Sequence, residues 1–243
     1  MVGIISDIGN YRELNEDAVG YFENLSIRFY AIADGMGGHN AGEIASNLAI
    51  EGLIQYFKRE DLTDNLKNEL LEGIEKVNKN IYKTSRKKDN YKGMGTTVTA
   101  CIICKDKMCI GHVGDSSCII IDKGKNIKKV TKDHSLVQEL VDSGSITKEE
   151  ACNHPNKNII TRALGINERV EVDIYEFQVD KIDRVLLCTD GLTNGVSLQE
   201  MLDCVISYSE EVACEKLVDM SKKNGSKDNI SVIVFKGADE NDR

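Results

Sequence analysis

Apolar positions along this chain follow two rhythms. Short apolar runs bounded by Gly, Asn or Asp predict strands at Val2 to Ser6, Ala18 to Glu23 and Ile27 to Ala33. From Ala41 the period lengthens. Ile44, Ala45, Leu48, Leu53 and Tyr56 recur at helical spacing, and a second amphipathic run carries Leu66, Leu70, Ile74, Val77 and Ile81. Lys, Asp and Glu fill the other faces of both, as expected of solvated surface. Thr97 to Cys104, Met108 to Val113, Cys118 to Asp122 and Ile127 to Thr131 then predict a meander of antiparallel strands with a turn at Lys123-Gly124. Between Asp133 and Asn158 the pattern becomes polar, with a short helix at Leu136 to Val141 and a turn at Thr147 to Ala151. Strands return at Val170 to Phe177 and Val185 to Thr189. Helices at Leu198 to Ile206 and Glu210 to Lys223 precede a last strand at Ile230 to Phe235. Strands and helices in separate runs predict an α+β fold, not a parallel doubly wound sheet.

The chain has 243 residues, enough to bury a full core, and no linker-like stretch divides it, so one domain over 1–243 is expected. A net charge of -9 argues against nucleic acid or an anionic membrane as partner, since both call for a basic face. Met1 to Asn10 lacks the basic and apolar regions of a signal peptide. Nowhere is there an apolar run of roughly 18 residues, so a cytoplasmic protein is expected. The eight cysteines lie mostly in apolar segments and read as reduced, buried small hydrophobes. Cys101 and Cys104 imitate a redox or zinc pair, but three positions apart on a strand they face opposite sides.

Chemistry enters with the acids. Glu16-Asp17, Asp34-Gly35, Asp115-Ser116, Asp190-Gly191 and Asp228-Asn229 each sit beside a turn signal at the edge of an apolar run. The runs before Asp34, Asp115 and Asp190 place each of these acids at the C-terminal end of a buried strand. Small residues behind them let the backbone turn tightly. A ligand set made only of oxygens suits Mg2+ or Mn2+, and no Cys/His cluster competes for a softer metal. The pattern reads as a two-metal hydrolytic centre. The Gly-rich stretches at Gly35 and Gly93 lack the Lys-Ser/Thr of a nucleotide loop, and no cysteine sits in the phosphate loop of a tyrosine phosphatase.

The blocks Ser6 to Asp17, Asp34-Gly35-Met36-Gly37-Gly38-His39 with Gly42-Glu43, Gly95-Thr96-Thr97, Val113-Gly114-Asp115-Ser116, Asp133-His134-Ser135, Thr161-Arg162-Ala163-Leu164-Gly165, Thr189-Asp190-Gly191-Leu192 and Lys227-Asp228-Asn229-Ile230 follow in that order. In this the chain resembles the bacterial branch of the metal-dependent type 2C (PPM-type) protein serine/threonine phosphatases, over nearly its whole length. The resemblance implies two stacked antiparallel sheets flanked by helix pairs, with the metals at one end of the sandwich. It implies hydrolysis of phosphoserine and phosphothreonine by a water bridging two ions, without a phosphoenzyme.

By the same resemblance Asp34 bridges the ions, Glu16 and the Gly35 carbonyl complete one shell, and Asp190 and Asp228 bind the other. Asp17 holds metal-bound water, Arg12 grips the substrate phosphate, and Asp115 helps hold a third, weaker ion. Cofactors are then two tight Mn2+ or Mg2+ ions and a third weaker one. Partners are phosphorylated proteins, including an opposing Ser/Thr kinase, and the enzyme is expected to be a monomer. The sequence departs from the family in having Ser117 where Arg is common after Gly-Asp-Ser. Met36 stands where animal members carry a proton-donating His, which leaves His39 as a candidate donor or as a residue that fixes the Gly-rich turn. Residues 135–158 correspond to the family's flap. His154, Lys157 and Lys148 there either meet substrate or are simply solvated, and His134 reads as structural. The alternatives are a silent phosphoprotein-binding regulator and a two-metal hydrolase of small phosphomonoesters.

Overall fold

The computed structural model describes residues 2–37, 41–59, 62, 63 and 65–238. The chain runs β1 (Val2–Asp7), β2 (Asp17–Glu23), β3 (Arg28–Met36), α1 (Ala41–Phe57), α2 (Leu66–Ser85), β4 (Gly95–Thr96), β5 (Val98–Cys104), β6 (Lys107–Val113), β7 (Ser117–Asp122) and β8 (Ile127–Lys129). It continues through α3 (Leu136–Asp142), α4 (Lys148–Cys152), β9 (Asp173–Gln178), β10 (Ile182–Cys188), α5 (Asp190–Thr193), α6 (Leu198–Ser207), α7 (Glu210–Lys223) and β11 (Ile230–Lys236). One sheet has the order β1-β11-β10-β7-β8. The other runs β2-β3-β5-β6-β9, with the short β4 paired to β3. All pairings are antiparallel.

Three apolar layers explain why the strands read as nearly continuous hydrophobic runs. Tyr30, Ile32, Cys101 and Ile110 of one sheet face Cys118, Leu187, Ile233 and Phe235 of the other, and the rings of Tyr30 and Phe235 stack at 3.7 Å. Alternate residues of the same strands point outward. Phe29, Ala31 and Ala100 pack under Ala45, Leu53, Leu70 and Ile74 of α1 and α2, while Leu186 and Val234 pack under Met201 and Leu217 of α6 and α7. A sandwich with helices on both outer faces buries both sides of its central strands. Cys101 belongs to the inter-sheet layer and Cys104 packs against the helix-covered one, so the pair faces opposite sides as the strand period requires.

The expected meander is corrected by the structure. β5 and β6 form a hairpin in one sheet, β7 and β8 a hairpin in the other, and the chain crosses between sheets at residues 114–116. Gly114 makes that crossing with φ 111°, a conformation in which a Cβ would also press on Thr97 at 2.5 Å. Apolar alternation is identical for a strand that stays in a sheet and one that leaves it, so the pattern could not show the switch. The turn after β7 is also longer than a Lys123-Gly124 hairpin: Asp122 and Asn126 close it, and Lys125 takes the positive φ. Neither α5 nor β4 is foreshadowed by the apolar pattern, because elements of four and two residues carry no periodicity.

Candidate active site

Strand register brings the acids to one end of the sandwich. Asp17 opens β2 directly opposite Asp34 near the end of β3, and the Gly35 amide donates to the Glu16 carbonyl at 3.0 Å. Asp190 starts α5 immediately past β10, and Asp228 precedes β11. These strands are antiparallel neighbours, so the two acids meet at the same edge. Asp115 lies on the crossing between sheets. Gly35 and Gly42 are packed so closely that a Cβ on Gly42 would lie 2.3 Å from Glu16 Oε1, and one on Gly35 would lie 2.2 Å from the Gly42 carbonyl oxygen. Only glycine lets β3 and α1 approach the Glu16 carboxylate this way.

The Gly95-Thr96-Thr97 block holds Asp34 by its backbone. Thr96 Oγ1 donates to the Asp34 carbonyl at 2.9 Å, the Asp34 amide donates to Thr97 Oγ1 at 2.9 Å, and Thr97 Oγ1 meets Ser116 Oγ at 2.8 Å beside Asp115. Asn229 ties the loop that carries Arg12 and Glu16. Its Nδ2 donates to the carbonyls of Ile8 and Leu14 at 2.9 and 3.0 Å, and its Oδ1 accepts from the Glu16 amide at 2.9 Å. Asp17 Oδ2 accepts from Ser231 Oγ at 2.7 Å and Thr189 Oγ1 at 2.9 Å. These Thr, Ser and Asn residues do not stand out as functional in the sequence. Their signal was adjacency to the acids, as in Thr189-Asp190 and Asp228-Asn229.

Electrostatics show how crowded the cluster is. Burial pushes Asp17 and Asp115 up to about 7 and Asp190 to about 6, and raises Asp34 well above the ordinary carboxylate range. Mutual repulsion adds to the burial: Asp17, Asp190, Asp115 and Asp228 all act on Asp34. Asp34, Asp115 and Asp190 keep an opening to solvent, yet each is walled by enough protein for desolvation to be the leading cause. Glu16 is raised as well, by burial first, with Arg12 opposing. The Arg12 guanidinium donates to Asp228 Oδ2 at 2.8 Å, which lifts its own pKa, and Glu16 and Asp34 also act on it.

The polar segment after β8 is anchored to this end. His134 Nδ1 accepts from the Gly114 amide at 3.0 Å, and its Nε2 lies 2.9 Å from Arg162 Nη1 and 3.4 Å from Asp173. Arg162 donates to Asp173 at 2.8 Å, and Lys157 is among the charges that lower Asp190. Lys132 reaches back to Asp142 of α3 at 2.7 Å. Met36 ends β3 opposite Gly95. His39 lies outside the described residues.

Among the described residues no three His, Cys, Asp or Glu side chains form a ready ligand set for an ion as they stand. The charge and donor set nevertheless fit a hard cation. Asp115 Oδ1 and Asp190 Oδ1 are buried without a hydrogen-bond partner, and all the cluster's donors are oxygens. Buried, unpaired and mutually repelling carboxylates are what a divalent cation relieves, whereas nothing in the cluster offers a soft ligand.

Residues 11–223 match the family model described as protein phosphatase 2C. The chain belongs to the protein phosphatase 2C family. It is 40% identical to the serine/threonine phosphatase stp of Listeria welshimeri over 236 residues, covering 94% of this chain and 92% of that protein. The crystal structure of Stp1 from Staphylococcus aureus superposes with a TM-score of 0.90 at 35% identity, covering 97% of this 2C chain and 94% of that one. The catalytic domain of a serine/threonine phosphatase, PstP, solved in complex with two manganese ions, superposes with a TM-score of 0.85 at 32% identity over 96% of both chains. The stacked sheets of this phosphatase 2C member are therefore the family fold.

Proposed function

We propose that the carboxylate cluster is the catalytic centre of this chain and that Arg12 is its phosphate clamp. The protein is a bacterial serine/threonine protein phosphatase of the 2C family, acting on phosphorylated proteins. The observation that carries the assignment of the centre is the convergence of Asp34, Asp115 and Asp190, two of them with an unpartnered buried oxygen, in a cluster whose Asp228, Glu16 and Asp34 also act on the Arg12 guanidinium.

Glu16, Asp34 and the Gly35 carbonyl would hold one Mn2+ or Mg2+, Asp34, Asp190 and Asp228 a second, and Asp115 a weaker third. Ions held there would supply Lewis acidity, lowering the pKa of water and offsetting the charge of the phosphoryl group. The protein's own part is positioning. Thr96 and Thr97 fix the Asp34 backbone, Ser231 and Thr189 hold Asp17 in place, and Asn229 sets the loop that presents Arg12. Arg12 is half-exposed, so it can turn from Asp228 and offer its planar fork to two phosphate oxygens.

This reading takes the chain as one catalytic domain with residues 135–158 as a flap over the site. The anchoring of His134 to Gly114 and the action of the Lys157 charge on Asp190 support that. The reading includes an opposing Ser/Thr kinase among the substrates, a monomeric enzyme and a cytoplasmic setting. No helix among the described residues is long and apolar enough to cross a membrane, and the free cysteines suit a reducing compartment.

The test is turnover of a phosphothreonine peptide with Mn2+, its loss on chelation and its return when Mn2+ is restored. Full turnover by the chelated enzyme would overturn the two-ion centre. Arg12→Ala is expected to lower kcat/KM by about 10- to 100-fold, mainly through KM, as befits loss of a charge-assisted hydrogen-bonding partner. Unchanged kcat/KM would remove Arg12 from the site.

A further inference from the structure

We infer that a basic cavity beside the active site receives a second anionic group on the substrate peptide, about three or four residues from the phosphothreonine being hydrolysed. The inference rests on the phosphatase reading above and adds a determinant of substrate choice. The cavity, about 520 Å3, lies between the C-terminal end of α2 and the loop before β4. Arg86, Lys87, Lys88 and Lys92 line it over a floor of Gly165 and Ile166, with Asp89 as its one acid. Four cations within seven residues stand out in a chain of net charge -9.

None of these cations forms an ion pair among the described residues. Arg86 lies over the Tyr82 ring at 4.5 Å and Lys88 over Tyr91 at 5.2 Å. Stacking steadies a guanidinium by its face and leaves its N–H edge for an acceptor. Part of the cluster has a simpler origin, because cations are favoured at a helix C-terminus. That accounts for Arg86 next to Ser85, but not for Lys88 and Lys92, which lie beyond the last turn. The helix end contributes only about half a negative charge. Four cations against that and Asp89 leave the cavity positive.

Its position ties it to the catalytic centre. Gly95 pairs with Met36, and Thr96, whose hydroxyl holds the Asp34 carbonyl, exchanges backbone hydrogen bonds with Leu164 at 2.8 and 3.1 Å. Gly165 and Ile166 follow directly. The start of the floor at Gly165 thus lies two strand spacings across from Met36, itself two residues along β3 from Asp34, which sets it roughly 12 Å from Asp34, a span that an extended peptide covers in about three or four residues. A substrate whose phosphate is held at Arg12 would carry a neighbouring phosphate or carboxylate into the cavity.

The experiment compares a singly phosphorylated threonine peptide with forms bearing a second phosphothreonine or a Glu three or four residues away on either side. Wild-type enzyme with Mn2+ is expected to favour at least one doubly anionic form by about tenfold in kcat/KM, through KM, as several exposed charge pairs would give. The preference should shrink as salt is raised. In the variant Arg86→Gln/Lys87→Gln/Lys88→Gln/Lys92→Gln it should vanish, while the singly phosphorylated peptide and p-nitrophenyl phosphate are turned over as before. A gain only with the second phosphate identifies that group as the occupant, and an equal gain with Glu identifies any acidic side chain. Equal kcat/KM for all peptides in the wild type, or a preference that survives in the variant, would overturn the inference. Turnover of the singly phosphorylated peptide tests the phosphatase reading separately. Fluorescence anisotropy of the same peptides without divalent ions reads the cavity even if turnover fails: tighter binding of a doubly anionic peptide by wild type than by variant supports the proposal, and equal binding refutes it.

Discussion

Asp34→Asn is expected to lower kcat by on the order of 10³-fold or more, a loss of several kcal/mol in transition-state stabilisation, while raising the melting temperature of the metal-free protein. The two signs come from one cause. Asp34 sits where Asp17, Asp190, Asp115 and Asp228 all repel its charge. Without cations that charge is a strain on the fold, and the isosteric amide removes it. With cations the charge is what holds them, and the amide weakens both proposed sites at once because Asp34 would serve each. Asp190→Asn should behave similarly in rate, with a smaller stability gain because Asn194 Nδ2 already donates to Asp190 Oδ2 at 3.2 Å. Thermal melts in chelator beside phosphopeptide kinetics in Mn2+ check both signs. A metal-free Asp34→Asn protein that melts lower than wild type would show that the carboxylate is structural. Wild-type turnover would remove it from the centre.

What could be read from the sequence divides along a physical line. The strands that carry the acids were legible because the stacked sheets bury them on both faces, which leaves runs such as Phe29 to Ala33 unbroken. Asp34, Asp190 and Asp228 were legible because each punctuates such a run. The partition of strands between sheets was not. β6 and β7 look alike in pattern, and only the backbone at Gly114 sends the chain from one layer to the other. Nor was the pairing of Arg12 with Asp228 legible, since the residues stand 216 positions apart and meet only because β1 and β11 are neighbours. The supporting hydroxyls of Thr96, Thr97, Thr189 and Ser231 escaped for a different reason. A Thr or Ser on a strand is ordinary by propensity, and its value as a donor depends on which carboxylate or carbonyl the register places opposite.

In chelator, the melting temperature is expected to fall as pH rises from about 5 to about 7.5, the reverse of the usual rise out of acid. Asp17 and Asp115 are pushed up to about 7, Asp190 to about 6 and Asp34 well above its ordinary value, against an ordinary 3.8 for Asp. Across that window the four raised carboxyls keep protons that the unfolded chain has lost, and they outnumber the two histidines that act the other way, His112, held down to about 3 by burial, and His134, also lowered by burial, so stability declines with pH. The contribution is complete below the unfolded pKa and is lost as pH climbs through the folded values. Asp7 acts the other way: hydrogen bonds from Lys222 and the Gly9 amide outweigh its burial and lower it, so its contribution is lost only in stronger acid, below this window. A decline of a few kcal/mol would move the melting temperature of a chain this size by roughly 10 °C. Mn2+ should reverse the trend, because ligand carboxylates must be deprotonated to bind and bound ions stabilise the folded state by mass action. Asp34→Asn should flatten the metal-free slope and blunt the response to Mn2+ together. A metal-free melting temperature that is constant or rising between pH 5 and 7.5 would mean that the cluster is solvated well enough to carry its charges unaided, and the electrostatic case for a cation-holding centre would fall with it.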